Sequence, residues 1–139
     1  MNRAGHFEAF KAAIPSPVAA HDSTAPLAPD KSILRASYAV LYDVGTVAPP
    51  DDERLTAPQR STSKVTWQYV VKSVGTSPFA ARSVDSAVAD GLVGKPLTVT
   101  GRKLDPIRLD DVGPVKEDTD VSPPLYFIES VYLLRSQPA

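Results

Sequence analysis

The chain has no cysteine, so a disulfide framework, thiolate metal sites and thiol nucleophiles are all excluded. Such a composition suits a reducing compartment. Charge of one sign is lacking as well. Fifteen Lys and Arg stand against sixteen Asp and Glu, a net charge of -1. A dedicated nucleic-acid binder would show a basic excess or stripe, and neither is present. Long hydrophobic runs are missing too, and none approaches the roughly 20 residues needed to span a bilayer. Residues 1–14 carry Arg3, His6, Glu8 and Lys11 among their apolar positions, which does not read as a secretory signal. With 139 residues the chain has the size of one domain, 1–139, with enough buried surface for a single core.

Proline, by contrast, is abundant. Fourteen prolines are about twice the average usage, concentrated at 15–29, 49–58, 106–114 and 123–124. Between these stiff connections the apolar pattern is regular. Phe7, Phe10 and Ile14 form one stripe at helical spacing, predicting a helix over 5–14 that Pro15 and Pro17 end. A short edge strand is expected at 18–23. The segment 33–43 reads as a central strand, with Tyr38, Val40 and Tyr42 alternating against Ala39 and Leu41.

Residues 62–74 carry the clearest strand pattern, in which Val65, Trp67, Tyr69 and Val71 alternate with Lys64, Thr66, Gln68 and Lys72. One side is packed and the other wet, as in an antiparallel sheet. Ser77-Pro78 then announces a second helix, with serine as cap and proline in the first turn. Its apolar set, Ala80, Val84, Val88 and Leu92, lies opposite Arg82, Asp85, Ser86 and Asp90, and Gly94 is its stop. Further strands are expected at 97–100, 107–109 and 125–135, with an acidic loop over 113–124. The order α-β-β-β-α-β-β-β predicts an α+β fold: a mostly antiparallel sheet, two helices on one face, and long projecting loops.

A search for reaction chemistry yields little. His21-Asp22-Ser23-Thr24 is contiguous and lacks the strained nucleophile turn of a serine hydrolase. The pairs Asp51-Asp52 and Asp110-Asp111 diverge on extended backbone, and Asp118 with Asp120 lacks the glycine and distant glutamate of a calcium loop. Gly91-Leu92-Val93-Gly94-Lys95-Pro96 has the wrong spacing for a phosphate loop and follows a helix instead of opening one. No catalytic residue, metal or cofactor is expected, and the chain is read as a binder of other protein chains. The longest loop, 44–61, holds Asp51, Asp52, Glu53, Arg54 and Arg60. Loops of that length inside a compact domain are uncommon and often functional. A modest basic group, Arg102, Lys103 and Arg108, could meet its acidic run across a subunit boundary, giving orientation more than affinity. The bland alternative is that both are simply solvated.

The second half of the chain carries a resemblance. A strand ending Ser73-Val74-Gly75 is followed at once by the helix opening at Ser77, and Leu97-Thr98-Val99-Thr100 leads into a Gly101-Arg102 turn. Asp118-Thr119-Asp120-Val121 and Pro123-Pro124 precede the aromatic closing strand Tyr126-Phe127-Ile128. In this order the chain resembles the tail-terminator proteins of long-tailed, siphovirus-type bacteriophages of actinobacteria. The short N-terminal helix and the strand around Tyr38–Tyr42 agree in outline, whereas the loops 22–34 and 44–61 have no counterpart.

The resemblance implies a structural virion protein located at the head-proximal end of the tail and assembled in the host cytoplasm. Its expected form is a homohexameric ring that ends tail-tube polymerisation. Its implied partners are further copies of itself, the tail tube protein and a head-completion or stopper protein. No membrane and no sequence-specific nucleic acid is implied, although DNA would pass through the ring. The neighbouring readings are another head-tail connector, a minor tail subunit, or, in a different class, a small cellular ligand-binding domain.

Overall fold

The computed structural model describes residues 2–47 and 64–139. Two helices and seven strands occur among them, in the order α1 (Arg3–Ala12), β1 (Ala20–Asp22), β2 (Tyr38–Thr46), β3 (Val65–Gly75), α2 (Pro78–Leu92), β4 (Arg102–Leu104), β5 (Arg108–Val112), β6 (Lys116–Asp118) and β7 (Leu125–Pro138). All seven strands join one sheet, ordered β1-β2-β3-β7-β4, with β5 and β6 also paired to the outer edge of β7. Only the β1–β2 pairing is parallel among these ladders. This is the expected α+β class.

The sheet is built on β3 and β7, which pair without interruption from Val65↔Ser136 to Gly75↔Tyr126. Because strand side chains alternate, that register assigns every residue to a face. Trp67, Tyr69 and Val71 share one face with Tyr132, Leu134 and, across β2, Ala39 and Leu41. Both helices cover this face. Phe7 and Phe10 from α1, and Val84, Val88 and Leu92 from α2, complete the main core. Phe10 stacks on Tyr69 with ring centres 4.5 Å apart and lies 5.9 Å from Tyr132.

Helix starts follow their caps. Asn2 accepts from the Gly5 amide at 2.8 Å, so α1 begins at Arg3, two residues before its apolar stripe predicts. Ser77 accepts from the Ala80 amide at 3.1 Å, with proline in the first turn of α2 as expected. Between β3 and α2 the backbone approach is very close. A Cβ at Gly75 would fall 2.6 Å from the Ala81 amide nitrogen, so only glycine fits.

Three local expectations are corrected. Residues 97–100 do not form a strand: Val99 bridges to Arg102 around Gly101, whose φ of +78° favours glycine, and the strand begins after that turn. The segment 33–43 becomes regular only at Tyr38, because Ile33 is used in an isolated bridge to Leu27. The acidic loop 113–124 contains β6, which pairs with Phe127, Tyr126 and Leu125 of β7.

The other sheet face is packed at one end only. Tyr38, Val40, Val74 and Leu125 are buried there beneath Ala25, Ile33, Ala36 and Val121, supplied by the proline-rich connections. Arg35 pins these connections together by donating to the Pro123 carbonyl. Further along, the same face carries Thr66, Gln68, Val70 and Val131, which are half-buried and lie under no helix.

Candidate functional site

The sequence places candidate contacts in two groups. Asp51, Asp52, Glu53, Arg54 and Arg60 lie outside the described residues. The basic group is described, and the structure divides it between the two faces of the sheet. Lys103 pairs with Gln137 and Arg108 with Leu133, both on the face opposite the helices. Arg135 shares that face. Its Nε lies 3.8 Å from Asp105, an exposed pair that contributes little to stability but fixes a charge pattern.

Arg102 points the other way. It pairs with Pro138 on the helix side and donates from Nε to Ser136 Oγ at 2.8 Å. Ser136 in turn meets the buried His6. Sequence adjacency of Arg102 and Lys103 therefore misleads: strand alternation sends one inward and leaves the other exposed.

At the opposite end of this open face lies a groove. Tyr38, Val40, Tyr42, Val74, Leu125 and Phe127 form its apolar wall, with Lys72 and Asp118 at the rim. The Lys72 ammonium sits 4.3 Å from the centre of the Phe127 ring, a cation–π contact. Burial, followed by the charge of Asp118, raises the Tyr38 phenol above its ordinary value. Burial and then Glu129 do the same for Tyr42. These phenols stay protonated at neutral pH and can only donate or accept hydrogen bonds.

Elsewhere the titratable groups are structural. Tyr69 and Tyr132 are raised strongly by burial in the main core. Arg3 is raised by its 2.7 Å hydrogen-bonded pair with Asp43. Asp30 is lowered by hydrogen bonds from the Ser32 hydroxyl and amide. His21 lies edge-on to Tyr38 at 5.8 Å, while Asp22 accepts from Ser23 Oγ at 2.7 Å. Among the described residues no three metal-ligating side chains converge, and no helix is long and apolar enough to cross a membrane.

Several exposed apolar residues are invisible as such in the sequence. Phe79 belongs to the apolar-looking start of α2 but is 77% exposed, and Val44 and Val112 are also open to solvent. The helical period near Ser77 could have shown that Phe79 faces away from Val84 and Val88. Nothing local could have shown the openness of Val112, which depends on β5 lying at the sheet margin.

Neither the family models nor the curated proteins compared with the chain match it. A solved structure does. The chain superimposes on one from the virion of a native gene transfer agent particle, with a TM-score of 0.60. The two chains share a fold. The alignment covers 96% of this chain and 92% of the other at 16% identity. The likeness thus spans nearly the whole of both chains and is not confined to a shared fragment.

Proposed function

We propose that the chain is a structural component of a phage-type virion and that, within it, the chain is a tail terminator. The observation that carries the reading is the fold match, over 96% of this chain, with a chain of a gene transfer agent virion. The tail-terminator resemblance of Ser73-Val74-Gly75, the Gly101-Arg102 turn and the Pro123-Pro124 entry to β7 supports the finer assignment.

The proposed form is a homohexameric ring at the head-proximal end of the tail, bound to the tail tube below and a head-completion protein above. A head-to-tail interface whose rotation closes produces such a ring. The open sheet face suits that work. It presents Lys103 and Arg108 at one end and the Tyr38–Phe127 groove at the other, so one copy can offer different chemistry at its two sides. Charged rims of this kind set register and association rate more than affinity. Repetition around a ring makes weak contacts collectively strong. On this reading the protein performs no catalysis.

The test is electron microscopy of particles assembled without this protein. Abnormally long tails are expected of a missing terminator. Tails of normal length that lack heads would instead assign the chain to another connector, and intact infectious particles would remove it from the tail altogether.

A further inference from the structure

A buried series of polar groups fastens α1 to the end of the sheet. His6 is 0% exposed and has both ring nitrogens engaged, Nδ1 with the Asn2 carbonyl and Nε2 with Ser136 Oγ at 2.8 Å. Its ring lies 5.4 Å from that of Trp67. Ser136, 3% exposed, also accepts from Arg102 Nε at 2.8 Å. Donor and acceptor chemistry leaves one consistent set of protons. A carbonyl can only accept, so Nδ1 carries the hydrogen to Asn2. The guanidinium can only donate, so the Ser136 hydroxyl takes its hydrogen bond from Arg102 and passes its own proton to a bare Nε2. The imidazole in this arrangement is neutral.

A second proton has no place here. Protonated Nε2 would itself donate to Ser136, whose hydroxyl hydrogen would then have to leave a line it shares with two donors inside the protein. An imidazolium would also stand one hydroxyl away from the Arg102 guanidinium. We propose that the Arg102–Ser136–His6–Asn2 series is an acid-sensitive clasp, and that protonation of His6 frees α1 from the sheet.

The charges around the ring favour this behaviour. Arg102 approaches from β4 and brings a positive charge. On α1 itself Arg3 places its guanidinium 6.0 Å from the Trp67 ring, and the β2 carboxylate of Asp43 is held by that same Arg3. From β3 and β7 the contacts are the neutral Trp67 and Ser136. Burial lowers the His6 imidazole below its ordinary value, partly opposed by the Asn2 carbonyl and reinforced by Arg102. The unfolded chain therefore takes up the proton first. The stabilisation is complete above the ordinary histidine value of about 6.5 and is lost as the pH falls below it.

Release of α1 would uncover Phe7, Phe10 and the aromatic residues they cover, without disturbing the β3–β7 ladder. The test is amide hydrogen exchange, corrected for intrinsic rates, between about pH 7.5 and about pH 5.5. Protection of the α1 amides is expected to fall by up to about tenfold, the limit for one proton taken up at the ordinary histidine value, while β3 and β7 keep theirs. His6→Gln offers Ser136 an acceptor and does not titrate, so its α1 protection should stay level. Constant α1 protection in the natural chain, or the same fall in His6→Gln, would overturn the proposal. Should His6→Gln not fold, proton NMR of the His6 ring in the natural chain decides. A titration midpoint below about 6.5 that coincides with loss of α1 protection supports the clasp, and either a midpoint at or above that value or an α1 that stays protected once the ring is protonated refutes it.

Discussion

The two faces of the sheet are made by the same strands yet serve different ends. On the helix side Trp67, Tyr69, Tyr132 and Leu134 are buried beneath Phe7, Phe10, Val88 and Leu92. On the other side a smaller cluster, Tyr38, Val40, Val74 and Leu125, is covered by irregular proline-rich chain, and the remainder is half-open. Rigid helices leave a truncated side chain with an unfilled space, whereas irregular segments can settle inward. The first face holds the fold together, and the second stays partly open.

Four substitutions would sharpen or break that contrast. Trp67→Ala should have the largest effect, a loss of about 3–5 kcal/mol in urea unfolding, since its ring is central to the helix-side core. Next come matched truncations. Leu41→Ala, beneath the helices, should cost about 3–4 kcal/mol, and Leu125→Ala, beneath the loops, nearer about 2 kcal/mol. Equal losses, or the reverse order, would contradict the difference in rigidity. Ser77→Ala, which removes the α2 cap, should lower stability by about 1 kcal/mol, read as a shift in urea midpoint at unchanged slope.

The smallest effect on folding is expected from Lys103→Glu combined with Arg108→Glu, within about 0.5 kcal/mol of the natural chain. Both side chains are exposed on the open face. On the proposed function the same double change should slow or abolish incorporation into particles, measured by immunoblot of purified virions. Normal incorporation would move the subunit contact away from this surface.

Periodicity made the main elements legible. Val65, Trp67, Tyr69 and Val71 alternate strictly, and Ser77-Pro78 is a helix start that depends on backbone chemistry alone, so β3 and α2 were readable within a few residues. Short strands were not. β4 and β6 have three residues each and owe their existence to the long edge of β7, a partner distant in sequence. The loop 44–61 and its charged residues fall largely outside what the structure describes. Among the basic candidates, neighbours in the chain were separated by strand alternation, and the bond of Arg102 to Ser136 could not be inferred across the intervening sequence.

Composition and local pattern by themselves determined the class of fold, the two helices, the central strands and the absence of thiol chemistry, because these follow from side-chain type and spacing along the backbone. Tertiary structure decided which charges share a face, where the groove opens, and that His6 is buried between Asn2 and Ser136. Those features arise only where segments far apart in the chain are brought into register, and no local preference encodes that register.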